Sequence, residues 1–328
     1  MRPVIAVVGG FLGAGKTTLI LAAARQLQRD GVRVAVVLND QGEDLVDTHF
    51  VQARGVAADQ VSGGCFCCRF PELIEAIDRL AAGAPEVIFA EAVGSCTDIV
   101  ATTLRPLLRG YPARFRVAPL TVVVNGGQRY TDPDLQFLYG HQLDEADVVA
   151  AWGEGVPAGS RRVDAATGEG VAEWLAEILG DTNPVAARAL SLDYARYAEA
   201  EASLAWLNAR VTVRATPAIS PAMLVGPLLD RLSASVPRIV HLKLLAQCES
   251  GYLKAAITES GGEPVVEGML DASPVRQHEI LLNVRAVADP AEVRASVERE
   301  LAQLPAKLEW HQVQCFRPAA PVPFHKGT

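Results

Sequence analysis

The chain has 328 residues, half of them apolar and 21% charged, with a formal net charge of −8. That length is enough for about two domains, and the apolar share supports a sizeable core and argues against global disorder. No Lys/Arg run is long enough to mark a phosphate-backbone footprint, which disfavours a nucleic-acid role, and no apolar stretch reaches the roughly 18 residues of a membrane span. Six cysteines in a chain of this size do not read as a disulfide framework, and three of them fall within four positions. That spacing suits metal or redox chemistry in a reducing cytosol. With no signal-peptide pattern, the expected location is cytoplasmic.

The first strand is the apolar run 4–8, and a helix-forming run covers 19–28. Between them lies GGFLGAGKTT, residues 9–18. Gly10, four residues, then Gly15-Lys16-Thr17 is the phosphate-loop pattern. Gly10, Gly13, Ala14, Gly15, Lys16, Thr17 and Thr18 are therefore the expected nucleotide contacts. Backbone N–H groups wrap the phosphates, the following helix adds its partial positive charge, and Lys16 supplies a full one. The Thr17 hydroxyl is placed for Mg²⁺.

A second buried strand, 32–38, ends in the polar loop 39–43, Asn-Asp-Gln-Gly-Glu. Residues 57–63 lead into Gly63-Gly64-Cys65-Phe66-Cys67-Cys68. Thiolates are soft ligands that select Zn²⁺, Cu(I) or iron–sulfur centres. Residues two apart cannot share a helix face, so Cys65, Cys67 and Cys68 must turn around an ion. Three thiolates leave a tetrahedral ion one ligand short, which suits transfer or sensing. Small buried residues or a redox cluster are the plainer readings of the same cysteines. A helix over 72–82 follows, with Leu73, Ile74, Ile77 and Leu80 on one face. The third strand, 86–90, ends in Glu91-Ala92-Val93-Gly94, where the carboxylate can hold the Mg²⁺ shell and Gly94 can meet a γ-phosphate. Cys96, just beyond, can approach the same loops as a fourth ligand, although a lone cysteine also reads as buried filler.

Further strands are read at 120–124, 146–151 and 161–166, with a helix at 171–179. Strands alternating with helices at this spacing predict an α/β, doubly wound, mostly parallel sheet with its ligand loops at the strands' carboxyl ends. The pattern changes after Gly180. A linker is expected at 181–184, a helix at 195–207, strands at 211–215, 239–246, 252–258, 279–287 and 308–316, and helices at 221–232 and 290–304. That order suggests a smaller α+β domain of ferredoxin-like, split-βαβ type. The expected division is 1–180, 181–208 and 209–328, with an irregular tail from Pro318. His49, His241, His311, Cys248 and Cys315 receive no role.

Over residues 3–180 the sequence resembles the CobW-type family of metal-chaperone GTPases, relatives of the urease and hydrogenase nickel-insertion GTPases. GGFLGAGKTT is close to that family's phosphate loop, NDQGE at 39–43 to its Asn-Glu-Phe-Gly-Glu segment, GGCFCC to its Gly-Cys-Ile-Cys-Cys motif and EAVG to its Glu-x-x-Gly. The resemblance implies a nucleotide hydrolase that couples Mg²⁺–GTP turnover to delivery of Zn²⁺, with Co²⁺ or Ni²⁺ as options, to a client metalloprotein. It implies roles for Asp40 and Glu91 in the Mg²⁺ shell or in orienting water, for Cys65, Cys67 and Cys68 on the delivered metal, and for Glu43 as a possible further ligand. A homodimer is compatible with it, and it implies neither nucleic acid nor membrane as a partner. Two departures stand out. Asn125 replaces an expected Asp, and Trp152-Gly153-Glu154-Gly155 occupies the place of the guanine-reading Asn-Lys-x-Asp. Trp152 can stack on either purine, so GTP is the inherited expectation and ATP or loose base specificity the alternative. Two rival readings are a metal-sensing switch with little turnover and a nucleotide-dependent assembly factor for a corrinoid or other metalloenzyme.

Overall fold

The computed structural model describes residues 2–42, 46–180 and 184–325. The chain falls into two compact units. The first comprises Met1–Gln41, Asp47–Glu201 and Ala320–Thr328, and the second Gly42–Val46 and Ala202–Ala319.

In the first unit the elements run β1 (Val4–Gly10), α1 (Lys16–Arg29), β2 (Val34–Asn39), α2 (Val46–Ala53), β3 (Ala57–Val61), α3 (Phe70–Ala81) and β4 (Val87–Glu91). A π-helical turn, Val100–Leu104, leads into α4 (Arg105–Gly110). Then come β5 (Arg116–Val117), β6 (Thr121–Asn125), α5 (Pro133–Glu145), β7 (Val148–Trp152), β8 (Arg161–Arg162), α6 (Val171–Leu179) and α7 (Tyr194–Ala202). The strands form one sheet in the order β3-β2-β4-β1-β6-β7-β8, with β5 beside β1, and every pairing is parallel. This is the mostly parallel α/β sheet of the P-loop NTPase fold. β1, β2 and β4 are buried along their whole length, which is why their sequences are continuous apolar runs rather than alternating ones. Trp174 of α6, fully buried, stacks on Phe89 of β4 and donates its indole N–H to Thr121 Oγ1 at 3.1 Å.

Register sets the working edge. Val8 pairs with Glu91, Leu38 with Glu91, Gly10 with Val123 and Asn125 with Trp152. The phosphate loop, the Glu91 turn and the loops after β6 and β7 therefore leave the sheet at the same end.

The second unit runs β9 (Ala205–Ile219), α8 (Pro221–Ser235), β10 (Ile239–Cys248), β11 (Gly251–Ile257), β12 (Val265–Gly268), β13 (Val275–Ala286), α9 (Pro290–Ala302) and β14 (Ala306–Phe316). Its antiparallel sheet is ordered β12-β11-β10-β13-β9-β14. Removing the β11–β12 hairpin leaves the β10-β13-β9-β14 order of a split βαβ unit. Leu207, Val211, Leu244 and Leu282 pack with Leu228 and Val297 of the helices in one core.

Several expected bounds move. Helix 195–207 stops at Ala202, and 205–207 already belong to β9. The cause is pairing: Trp206 sits opposite Arg285 on one side and Phe316 on the other, and the Arg285 guanidinium lies 4.0 Å over the indole. The strand expected over 161–166 shrinks to two residues because Asp164 accepts the N–H groups of Ala166 and Thr167 and turns the chain. The grouping into units also differs from the expected 1–180, 181–208 and 209–328, since most of α7 belongs with the first unit. The expected linker lies outside the described residues apart from Pro184. The helix α5 was not read from the sequence, although Asp132 caps it by accepting the Asp134 N–H at 3.0 Å and Pro133 opens it.

That helix brings a buried acid under the Glu91 turn. Glu145 is fully buried and accepts from Thr97 Oγ1 at 3.2 Å and Val100 N at 3.0 Å. Burial lifts its carboxyl from 4.5 to about 8, against the Val100 N–H, which favours the anion. Glu201 of α7, which accepts from Ser95 Oγ at 2.5 Å, is lifted by burial to about 7. Both folded-state values lie above the unfolded one. Their contribution to stability is complete below about pH 4.5 and is lost as pH rises through 7 to 8. Glu145→Gln should flatten most of the fall in melting temperature across that window and leave the part due to Glu201. Thermal unfolding at a series of pH values measures it, and an unchanged pH profile in the variant would refute the assignment.

Candidate functional site

The phosphate loop is built by close approach. Gly10 has φ +132°, and a Cβ there would lie 2.4 Å from Val123 O, so only glycine lets β1 turn against β6. Ala14 N–H donates to Phe11 O at 3.1 Å and closes the loop. Gly13 and Gly15 carry it into α1, whose first backbone N–H groups have no intrahelical partner and form an anion site. Lys16 is buried and folds back, donating to Gly10 O at 2.8 Å and Phe11 O at 3.2 Å. Thr17 donates its hydroxyl to Glu91 Oε1 at 3.1 Å, so the two residues expected on Mg²⁺ meet across 74 positions of sequence. Thr18 faces solvent on the outer side of the first turn.

Two contacts at the loop were not read from the sequence. Trp152, at the end of β7, donates its indole N–H to Ala14 O at 2.7 Å. Gln128, in the loop after β6, donates to Leu12 O at 3.1 Å. Trp152 therefore braces the phosphate loop, a role separate from stacking on a base. Behind it, Gly126 N–H donates to Trp152 O at 2.8 Å and Asn125 Oδ1 accepts from Gly127 N at 3.0 Å. Between β7 and β8 there is no helix, only the short loop 153–160, in which Glu154 is the single acid and is exposed.

The cysteine segment is a turn leading into α3. Cys65 O accepts from Cys68 N at 3.0 Å and Arg69 N at 2.9 Å. Cys65 and Cys67 are buried and Cys68 is half-buried; all are free thiols. Their Sγ atoms lie within 4.8 Å of one another, with Cys65–Cys68 at 3.3 Å and Cys67–Cys68 at 3.7 Å. Zn–S bonds of about 2.3 Å in a tetrahedron place sulfurs about 3.8 Å apart, so the donor set fits one soft ion. Asn39 ties this turn to the end of β2: its Nδ2 donates to Val61 O at 2.9 Å and Gly64 O at 2.7 Å, and its Oδ1 accepts from Phe66 N at 2.8 Å. The adjacent Asp40 is half-buried, its backbone N–H donating to Val61 O at 3.2 Å. Glu43 lies outside the described residues.

The tail, expected to be irregular, has no regular structure yet is anchored here. Phe324 N–H donates to Cys67 O at 2.8 Å, and the Phe324 and His325 rings pack on Phe70 with centroids 6.4 and 4.6 Å away. Hydrogen bonding with Cys65, together with burial, pushes the Cys68 thiol up to about 11. Cys67 is held well above the ordinary thiol range by its hydrogen bonds to Cys65, Cys68 and Cys96 and by burial.

Between the two centres lies the Glu91–Cys96 turn. A Cβ on Gly94 would sit 2.6 Å from Leu12 Cδ2 and 3.1 Å from Leu12 N, so this glycine rests directly on the phosphate loop. Gln142 of α5 donates to Gly94 O at 2.9 Å and Cys96 O at 2.8 Å and fixes the turn from behind.

This fold and loop define a P-loop nucleotide-binding domain with a thiol cluster beside it. Residues 4–151 match the family model described as CobW/HypB/UreG, nucleotide-binding domain. Among curated relatives, the zinc chaperone YjiA of Escherichia coli (strain K12) is 35% identical over 103 residues, 30% of this chain and 31% of the relative. The zinc-regulated GTPase metalloprotein activator 1 of Dictyostelium discoideum is 30% identical over 91 residues, 24% of this chain and 19% of the relative. The matches thus span about a third or less of these relatives' length. Among solved structures, Zn(II)-bound YjiA GTPase from E. coli is similar with 14% identity and a TM-score of 0.33, over 91% of this chain and 99% of that one. HypB from Helicobacter pylori in complex with nickel is similar with 20% identity and a TM-score of 0.34, over 46% of this chain and 64% of that one. No described helix is long and apolar enough to cross a membrane.

Trp152→Phe keeps the ring and removes the N–H that holds Ala14 O. Losing one hydrogen bond of this kind costs about 1 kcal/mol, so triphosphate affinity should fall about fivefold. Titration with a fluorescent nucleotide checks this; unchanged affinity would show that the brace does not shape the phosphate loop.

Proposed function

We propose that this protein is a nucleotide-hydrolysing metal chaperone, which couples GTP binding and hydrolysis to the delivery of a transition metal, zinc first, to a client metalloprotein. The observation that carries the reading is the shared turn: Gly94 rests on Leu12 of the phosphate loop, and two residues later the buried Cys96 thiol lies within electrostatic reach of Cys65 and Cys67. A change at one centre has a two-residue path to the other. Lys16 and the N–H groups opening α1 bind the phosphates. The Thr17 hydroxyl and the Glu91 carboxylate are the groups that would hold Mg²⁺, which supplies charge neutralisation at the phosphates when bound. Asp40, next after Asn39 at the end of β2, would respond to nucleotide or orient water. Cys65, Cys67 and Cys68 hold the metal as cargo. The names of the matched relatives, a zinc chaperone and a zinc-regulated activator, support zinc and a metalloprotein client. The cytoplasm is the proposed compartment.

A second reading, an assembly factor that also accepts ATP, is favoured by one feature. The loop 153–160 offers only an exposed Glu154 where a guanine reader would need a fixed acid. Guanine-over-adenine preference should accordingly be modest, and competition binding separates the two readings.

The test of the chaperone reading is linkage. Metal affinity measured with diphosphate and with a non-hydrolysable triphosphate should differ by about 5- to 150-fold, and metal must shift triphosphate affinity by the same factor. Lys16→Ala should lower hydrolysis by about 10²–10³-fold, as loss of a group that stabilises transition-state charge does, and should erase the difference. Equal metal affinity in both nucleotide states would overturn the reading.

A further inference from the structure

Two of the three thiols stand closer together than a shared ion requires. Sulfurs on one tetrahedral zinc lie about 3.8 Å apart, and Cys67 and Cys68, at 3.7 Å, keep that spacing. Cys65 and Cys68 are only 3.3 Å apart, and all three are free thiols. The backbone under this closer pair is already closed. Cys68 N–H donates to Cys65 O at 3.0 Å across a four-residue turn, and Arg69 N–H donates to the same oxygen at 2.9 Å. A turn of this kind holds its end Cα atoms within about 7 Å, and a disulfide spans about 4.4–6.8 Å between Cα atoms. Asn39 pins the start of the turn, donating to Gly64 O at 2.7 Å and accepting from Phe66 N at 2.8 Å. An S–S bond of about 2.0 Å between Cys65 and Cys68 therefore asks for side-chain rotation and leaves the backbone in place.

Cys67 is less suited to such a bond. A Cys67–Cys68 disulfide would close a small ring through the peptide that joins the two residues, and a peptide resists departure from planarity. The carbonyl of that same peptide, Cys67 O, is held by the Phe324 N–H at 2.8 Å.

We propose that Cys65 and Cys68 form a reversible disulfide, a redox-modification site laid over the thiol cluster, with Cys67 left as the free thiol. The oxidant is a small disulfide of the glutathione class. Cys68, the half-buried thiol, attacks one glutathione sulfur. The S–S bond of the oxidant breaks, a mixed disulfide forms, and the departing glutathione thiolate takes up the proton that Cys68 gives up. Cys65, 1% exposed, then attacks Cys68 Sγ and displaces the second glutathione, which leaves with the Cys65 proton. Two electrons pass from the pair to the oxidant, and two glutathione thiols result. The consequence for cargo rests on the metal-centre reading of Cys65, Cys67 and Cys68: the disulfide removes two of its three sulfurs, so the chain takes up metal only when reduced.

The experiment equilibrates the full chain, free of metal, in glutathione buffers of rising disulfide share, then quenches with acid and alkylates. Hydrogen bonding with Cys65 keeps Cys68 a thiol at neutral pH, which slows exchange, so the readout is the equilibrium and not the rate. Trypsin cuts after Arg54 and Arg69 and puts all three thiols on one peptide, residues 55–69. The oxidised peptide should carry one alkyl label, on Cys67. A single label on Cys65 or on Cys68 would mark another pairing, and three labels at every buffer ratio would mark none; each result overturns the proposal. Cys67→Ser should still close the disulfide, and its failure to do so would also overturn it. The native chain should close the pair at a lower disulfide share than the chain in denaturant, where the turn is lost; equal shares would refute the prepared geometry. A parallel series saturated with Zn²⁺ separates this site from the metal reading. Zinc should suppress the disulfide. If Cys65 and Cys68 pair equally with and without zinc, the metal centre is refuted and the redox pair stands.

Discussion

The contact of Gly94 with Leu12 is the constraint on which the first unit depends. A methyl group at position 94 would stand 2.6 Å from the Leu12 side chain, so the turn after β4 and the tip of the phosphate loop touch with no space between them. Close-packed groups of this kind cannot move independently. Glu91 begins the same turn and meets Thr17 at its hydroxyl, and the buried Cys96 ends it within electrostatic reach of Cys65 and Cys67. One short segment therefore carries the carboxylate, the glycine and the sulfur that join two chemistries.

Such a turn has to be held from behind, and the protein holds it with buried polar groups. Gln142 takes the carbonyls of Gly94 and Cys96, Glu145 takes Thr97 and the Val100 N–H, and Glu201 takes Ser95. Burying two acids is unfavourable when they ionise, which is what lifts both. A network of this kind fixes one geometry where an apolar filling would tolerate several. On the opposite side, Asn39 fastens the thiol turn to β2 with two hydrogen bonds, to Gly64 O and from Phe66 N, and the tail residue Phe324 binds it through Cys67 O. Of the three thiols, Cys68 is the half-buried one.

The parts of this arrangement differ in how visible they were in sequence. The buried strands are continuous apolar runs, the phosphate loop is a fixed glycine–lysine spacing, and the thiols are neighbours in the chain, so each is a local signal. The split βαβ order of the second unit followed from its alternation of strands and helices, although β9 began earlier than its composition suggested because Trp206 found cross-strand partners. Helix α5 was missed although Asp132-Pro133 is the same entry signal that was recognised at Asp289-Pro290.

By itself, then, the sequence determined the chemistry on offer: a phosphate loop with its lysine, a carboxylate at a strand end and three adjacent thiols. The backbone conformations these need are set by residues within a few positions of one another. Only the tertiary structure decided how they combine. Trp152 braces Ala14 from 138 positions away, and Gln142 holds Cys96 from 46. The tail reaches Cys67 from Phe324. The Trp152 pairing arises because parallel strands bring their carboxyl ends to one edge in an order unlike that of the chain. A contact made that way leaves no period or spacing in the sequence from which to read it.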